Sequence, residues 1–278
     1  MGTRFQNTVR IQGAMLLVLA ASMLIPFIQA VYYHENSSAR AFAIVLLVCL
    51  SFGLIIRQFC KPSREKMKVR DGFLVVSVSW LLCSVIGALP FWLSGAIPSA
   101  ADAFFESCSG FTTTGASILT DIEAMPNSLL FWRSFTHWLG GMGVLVFLLI
   151  LSPFGQGSGG EAMHLLRAES PGVKIAKLVP RMRRSTGILY LIYVGLTVIM
   201  FLFLIAGKMP VFDSVCMALG VAGTGGFSVL NDSAAAYSPY CQWVITAFML
   251  LFGVNFNIYF LLLLREAKRA LRNEELRI

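Results

Sequence analysis

Charged residues are scarce in this chain of 278 residues: they make up 13% of it, against about 25% in an ordinary soluble domain. Together with a hydrophobic content of 57%, this scarcity excludes a soluble globule. The six cysteines show no C-x-x-C spacing and are too few for a disulfide scaffold of this length. Glycine has no collagen-like period, and the 22 Phe and 5 Trp exclude a disordered chain. These absences leave a polytopic membrane protein of the all-α class.

Six long stretches contain no Asp, Glu, Lys or Arg, and each is close to or above the roughly 20 residues that a helix needs to cross a bilayer core of about 30 Å. They predict six transmembrane helices, at 11–33, 41–56, 72–101, 134–160, 185–207 and 233–264. The first stretch follows Arg4 and Arg10 as a signal peptide would, but it is too long and lacks a clean cleavage motif. We interpret it as a retained helix.

Two shorter segments, 99–117 and 210–228, are also weakly charged, and the distribution of Lys and Arg predicts how they run. If both crossed the membrane, the basic loop 153–184 would lie outside, against the positive-inside rule. If each enters and returns on the same face, every Lys and Arg is cytoplasmic except Arg40, Arg133 and Lys208. The sequence therefore predicts two re-entrant segments and cytoplasmic termini.

The net charge of +8 has the same cause, because the basic residues act as topology signals and contact membrane lipids. It does not imply a nucleic-acid partner. The predicted outer face is acidic and would concentrate cations; for Glu35 and Glu123, however, solvation in a loop is the favoured explanation. The acidic residues there are Glu35, Asp102, Glu106, Asp121, Glu123, Asp213 and Asp232.

Each re-entrant segment has the pattern of a short helix followed by a Thr/Gly turn, at 102–110 with 111–117 and at 212–220 with 221–228. A shift of 110 residues superposes the first on the second and predicts an internal repeat. The matched pairs are Gly110 with Gly220, Thr114 with Thr224, Gly115 with Gly225, and Gly143 with Gly253.

This repeat has the form of a cation filter. A short helix that enters from outside directs its C-terminal, partially negative end into the membrane, which favours a cation there. In the turn beyond it, glycine allows backbone angles that other residues resist, so that carbonyl oxygens can replace the water shell of a dehydrated ion. A single Thr-Gly pair is weak support, but two at one offset favour a filter.

Several motifs point to one family. They are Gly87-Ala-Leu-Pro-Phe-Trp-Leu-Ser-Gly95, Ser109-Gly-Phe-Thr-Thr-Thr-Gly-Ala116, Trp138-Leu-Gly-Gly-Met-Gly143, Leu166-Arg-Ala-Glu-Ser-Pro-Gly172, Thr224-Gly-Gly-Phe-Ser228 and Gly253-Val-Asn-Phe256. Through them nearly the whole chain resembles the Trk/Ktr superfamily of potassium uptake transporters. The part that it resembles is the N-terminal half of a Trk-type pore-forming membrane subunit.

The resemblance implies a transmembrane helix pair at 1–70 and helix–pore loop–helix repeats at 71–160 and 161–278, the second with a cytoplasmic tail. It implies potassium import across the cell inner membrane, with potassium as substrate, no cofactor and no enzymatic activity. A cytoplasmic nucleotide-binding regulatory subunit is a further implied partner, for which the basic loop 167–184 is the candidate contact. The implied filter positions are Thr113, Thr114, Gly115, Ala116, Gly223, Thr224, Gly225 and Gly226.

Four residues near the repeats have interpretations of their own. We expect Glu106 to support the filter by accepting hydrogen bonds from the backbone near 110–113 and to add negative potential. Arg133 is either a counter-ion to a pore carboxylate or a headgroup anchor. His137 has no neighbour at metal-ligand spacing and is interpreted as a packed residue, and Asp213 as a helix N-cap.

Trk-type subunits carry four repeats around one pore, whereas this chain has two. One alternative to potassium uptake is therefore a truncated, non-conducting remnant. If the chain does function, a homodimer or a second chain carrying the missing repeats would complete the pore. A membrane enzyme, such as an intramembrane protease, is disfavoured because no nucleophile–base pair or metal motif occurs within the predicted helices.

Overall fold

The computed structural model describes residues 3–60, 69–143, 182–254 and 256–263, and within these ranges every regular element is helical. This agrees with the predicted all-α class. The helices are α1 (Thr3–Tyr32), α2 (Asn36–Phe59), α3 (Val69–Leu93), α4 (Ala100–Phe111), α5 (Asn127–Gly141), α6 (Met182–Ala206), α7 (Val211–Ala222), a 3-10 turn (Ser233–Ala236), α8 (Pro239–Gly253) and α9 (Phe256–Leu263).

Four of the described helices contain an apolar span long enough to cross a membrane: Gln6–Tyr32, Asn36–Phe59, Asp71–Leu93 and Gly187–Ala206. They correspond to the first, second, third and fifth predicted transmembrane helices. By contrast, α4 and α7 have 12 residues each and are about 18 Å long at 1.5 Å per residue, too short to span.

The start of the fourth predicted helix, at 134, is wrong. Helix α5 begins at Asn127 and the structure describes the chain onward only to Gly143, so the rest of 134–160 lies outside the described residues. The prediction used Arg133 as a boundary between apolar segments, but Arg133 is buried in the interior of α5. A charge can end an apolar run in the sequence without ending a helix if it has a partner in the fold.

The sixth predicted helix, 233–264, is divided in the structure. Residues 233–236 form the 3-10 turn, and α8 begins at Pro239, where the Ser238 hydroxyl accepts a hydrogen bond from the Cys241 amide at 3.4 Å. Helix α8 ends at Gly253, and α9 follows from Phe256.

The predicted boundary at 70 falls in the first turn of α3, whereas the boundary at 160, the motif 166–172 and the tail 265–278 lie outside the described residues. The three-part domain division stays a prediction. Packing groups the helices differently: one apolar cluster joins α1 to α5 and includes Cys216 of α7, and a second joins α6, α7 and α8. Helix α5 contacts α1, α3, α4 and α7, and nearly all its residues are buried.

The two repeats are related by a shift of 111 residues, not 110. Helices α4 and α7 have the same length at this shift. Left-handed backbone occurs at Thr113 (φ 55°) and Thr224 (φ 57°), and again at Gly115 (φ 78°) and Gly226 (φ 79°). The sequence-based shift matched Gly115 to Gly225 because the second repeat has two adjacent glycines, and only the backbone angles show that Gly226 is the equivalent one.

Candidate filter site

Two non-helical segments follow α4 and α7, and we define them by the 111-residue shift as filter segment 1 (112–119) and filter segment 2 (223–230). Both begin with amides that donate to carbonyls in the last turn of the preceding helix. In segment 1 the Thr113 and Thr114 amides bond to the carbonyls of Gly110 (3.1 Å) and Ser109 (2.9 Å). In segment 2 the Thr224 amide bonds to the Val221 carbonyl at 2.7 Å.

Each segment turns at a threonine with left-handed backbone. For a β-branched residue this conformation is a genuine outlier, and such strain costs about 1–3 kcal/mol. It occurs at equivalent positions, Thr113 and Thr224, and a glycine with left-handed backbone follows two residues later in both segments. The same unusual path is therefore built twice in one chain.

The two segments touch each other. A Cβ atom built on Gly115 would lie 2.0 Å from the carbonyl oxygen of Gly225, so only a glycine permits this approach. The exposed residues in or next to the predicted filter positions are Thr112, Thr114, Ala116, Ser117 and Thr224. All eight predicted filter residues thus lie in two segments that the fold brings together.

Glu106 projects from α4 to the far end of filter segment 1. Its carboxylate is buried and accepts hydrogen bonds from the Ser117 hydroxyl (2.9 and 3.0 Å) and the Ile118 amide (3.1 Å). The expected partners near 110–113 were wrong, because the Thr112, Thr113 and Thr114 amides already donate to α4 carbonyls. Glu106 therefore contacts the segment after its glycine turn.

Arg133 of α5 pairs with Glu106, which decides between its two interpretations. The guanidinium is 2% exposed, its Nε lies 2.5 Å from Glu106 Oε1, and its Nη1 donates to the Ser228 carbonyl at 2.9 Å. Among the two alternatives the carboxylate counter-ion is confirmed and the headgroup anchor is wrong. The sequence contained no direct signal for the contact with Ser228.

His137, one turn further along α5, is a packed residue as predicted, with a fully buried side chain. Its ring stacks on Phe227, with centroids 3.8 Å apart and planes 14° from parallel. Among the described residues neither ring nitrogen has a well-formed hydrogen bond, although the backbones of Ser109 and Gly220 lie close enough to interact with the ring. The contact with the filter was missed: a Cβ on Gly225 would lie 2.3 Å from His137 Cε1, so the imidazole packs directly behind segment 2.

Asn231 links the loops that follow the two filter segments. Its side chain accepts from the Ile122 amide (2.7 Å) and donates to Asp121 (3.0 Å), while its own amide donates to Glu123 (3.1 Å). The hydrogen bond from Asn231 holds the pKa of the exposed Asp121 carboxyl below its ordinary value. The interpretation of Glu123 as a merely solvated residue was therefore wrong.

Two other acidic residues also have partners that the sequence did not predict. Glu35 is not simply solvated: its carboxylate accepts from the Asn127 amide (2.7 Å) and from the Ser128 amide and hydroxyl, at the start of α5. Asp213 is not the N-cap of α7, a position held by Pro210. It lies in the first turn and accepts from the Tyr237 hydroxyl at 3.0 Å, and burial followed by this carboxylate raises the pKa of Tyr237.

Comparison with known proteins identifies the family. The profile of the cation transport protein family TrkH matches residues 38–277. The chain is 37% identical over 263 residues to the Trk system potassium uptake protein TrkH of Salmonella typhimurium and 32% identical over 270 residues to TrkG of Escherichia coli. These alignments cover 93% and 95% of this chain but 53% and 55% of the relatives, so the chain spans about half their length.

A solved structure is similar as well. The crystal structure of the potassium transporter TrkH from Vibrio parahaemolyticus matches with a TM-score of 0.77 and 29% identity, over 92% of this chain and 51% of that one. The matches confirm the resemblance found in the sequence and, together with the apolar helices, indicate an integral membrane protein whose relatives are named as potassium uptake proteins or a potassium transporter. The chain belongs to the TrkH family of cation transport proteins.

Proposed function

We propose that this chain contributes two filter segments to a potassium-selective uptake pathway across the cell inner membrane. The observation that carries the proposal is the recurrence of one strained backbone path in two segments that touch at Gly115 and Gly225. Strain of this kind persists where the surrounding structure enforces it, and it clusters at sites of function. We take potassium as the ion because the relatives are named as potassium uptake proteins.

In this proposal the ion binds to backbone carbonyl oxygens of 113–116 and 223–226, which replace its water shell. The C-terminal ends of α4 and α7 add a partial negative charge. Glu106 supports the filter through hydrogen bonds rather than through net negative potential, because the adjacent Arg133 balances its charge.

The proposed arrangement in the membrane has α4 and α7 entering and returning on the outer face. Non-helical backbone such as that of the filter segments is tolerated at membrane depth where protein buries it or where it lines a water-filled path. Six spanning helices and cytoplasmic termini then follow from the distribution of Lys and Arg. The basic loop 167–184 would face the cytoplasm, available to lipid headgroups or to a nucleotide-binding regulatory subunit.

The resemblance implies four filter segments around a pore, and two of them lie outside these 278 residues. We propose that a second copy of this chain, or a chain carrying the other repeats, supplies them. In a homodimer a two-fold axis along the pore would bring four segments together from two copies.

Complementation of cells that lack potassium uptake systems tests the proposal. We expect this chain to restore growth at low external potassium, and Gly115→Ser to abolish it because its Cβ would collide with the Gly225 carbonyl. Tyr237→Phe is the matched control: it removes one hydrogen bond to the first turn of α7 without touching the filter segments.

Two results would contradict the proposal. Absence of growth despite normal membrane expression, also when the C-terminal half of a homologous subunit with the other two repeats is co-produced, would favour the non-conducting remnant. Growth that survives Gly115→Ser would show that the ion path does not run through these segments.

A further inference from the structure

One buried ion pair joins the two filter segments at equivalent residues. The Glu106 carboxylate accepts from the Ser117 hydroxyl, and the Arg133 guanidinium donates to the Ser228 carbonyl. Ser117 and Ser228 are related by the 111-residue shift that relates the segments themselves. The connection Ser117–Glu106–Arg133–Ser228 therefore bridges equivalent residues of the two filter segments.

We propose that this connection, which we call the filter clasp, is a positioning device that fixes the spacing of the two filter segments and thereby their ion selectivity. The effect on ion selectivity rests on the function proposed above, whereas the positioning of the segments does not. Glu106 and Arg133 act through the segments that they hold and do not themselves contact the ion.

Stability alone does not account for the pair. Removing two charges from water costs several kcal/mol per ion, and a buried pair is often no more stabilising than apolar residues of similar size. Repeat symmetry does not require it either, since Met217 occupies the position equivalent to Glu106. The pair instead fixes a geometry. Glu106 and Arg133 bond to each other, and each also bonds to one filter segment.

Phe227 makes the arginine side of the clasp rigid. The Arg133 guanidinium carbon lies 3.6 Å from the centroid of the Phe227 ring, and the His137 ring lies 3.8 Å from the same centroid. Two groups this close to one centroid have to occupy opposite faces, so Phe227 of segment 2 is held between them. The planar guanidinium can stack and donate sideways at the same time, which an ammonium group cannot.

Two conservative variants each open one end of the clasp. Arg133→Lys keeps the positive charge for Glu106 but has one nitrogen in place of the fork that reaches both Glu106 and Ser228, so it should release segment 2. Ser117→Ala removes a donor to Glu106 and leaves the contact between Arg133 and Ser228 intact, so it should loosen segment 1. Tyr237→Phe is again the control.

Hydrogen–deuterium exchange of the purified full chain in detergent measures the positioning directly. We expect Arg133→Lys to speed exchange across 223–230, and Ser117→Ala across 112–119, each by about tenfold or more, as expected when a hydrogen bond to a charged group is lost. Exchange in α1 and α2 should not change, which distinguishes a local release from a misfolded variant.

Uptake of rubidium and sodium by the same variants, in the cells used for complementation, measures selectivity. We expect a rubidium-to-sodium ratio at least several times lower in Arg133→Lys and Ser117→Ala than in Tyr237→Phe. If the wild-type chain transports neither ion, the proposed function is wrong, and hydrogen–deuterium exchange alone tests whether the filter clasp positions the segments. Unchanged exchange in both segments, or unchanged selectivity in a transporting chain, would overturn the inference.

Discussion

Gly225 and Gly226 are neighbours in filter segment 2, and they are required for different reasons. Gly226 has left-handed backbone (φ 79°), and among the described residues its one close neighbour at the Cβ position is the flexible Met249 side chain at 3.2 Å. Gly225 does not have left-handed backbone, but its Cβ position is filled by the His137 imidazole. Alanine at Gly226 would therefore be strained by its own backbone, and alanine at Gly225 by a neighbour.

A double-mutant cycle separates these two causes. We expect Gly226→Ala to destabilise the chain by about 1–2 kcal/mol, the cost of left-handed backbone in an L-residue. His137→Ala should rescue much of the loss caused by Gly225→Ala, with a coupling of about 0.5–3 kcal/mol, and none of that caused by Gly226→Ala. Thermal unfolding in detergent provides the measurement.

Gly95→Ala is the matched control for the backbone effect, since Gly95 has φ 80° and no atom of the described residues lies within 4 Å of its Cβ position. It should cost about as much stability as Gly226→Ala. Rescue of Gly226→Ala by His137→Ala would contradict the 111-residue register.

Helix α5 contacts both α4 and α7, the short helices of the two repeats. Its first turn is stabilised by Glu35, a residue that does not belong to the helix. The first amides of a helix have no partner within it, and Pro126 before α5 provides no side-chain cap. The Glu35 carboxylate bonds to the Asn127 and Ser128 amides instead. This loop residue therefore caps the helix that carries Arg133 and His137.

We expect Glu35→Ala to destabilise the chain by about 1–2 kcal/mol, because it removes both a cap and a negative charge from a helix N-terminus. Glu35→Gln should cost less, since one oxygen still accepts. Asp232→Ala is the control, because that exposed carboxylate makes no side-chain capping bond. Equal melting temperatures for Glu35→Ala and Asp232→Ala would show that the contact is not stabilising.

The sequence predicts the membrane helices well and the polar contacts poorly, for a physical reason. Apolar runs record burial in lipid residue by residue, so α1, α2, α3 and α6 lie close to their predicted positions. Contacts such as those of Glu35 with Asn127 depend on where distant segments meet. Pairs at a shift of 111, Asp102 with Asp213 and Ser117 with Ser228, were a signal that could have found the correct register.

For the whole molecule, the described helices constrain the arrangement in the membrane without fixing its direction. Four of them are long enough to span, whereas α4, α5, α7, α8 and α9 are too short over the residues that the structure describes. The direction is predicted by the basic residues alone, which would place the loop after segment 1 outside and the loop 153–184 in the cytoplasm. Asp121 and Glu123, held by Asn231, would then form part of the outer mouth.

Cysteine labelling tests this direction. In a cysteine-free background we expect Ala124→Cys, at an exposed position of the outer loop, to react with a membrane-impermeant thiol reagent applied to intact cells. Ala176→Cys, in the basic loop, should react only after the membrane is made permeable, because Lys and Arg in short loops favour the cytoplasmic side. Labelling of Ala176→Cys in intact cells would mean that the basic loop lies outside. The segments that contain α4 and α7 would then cross the membrane instead of returning to the outer face, and the proposed filter would lose its two re-entrant segments.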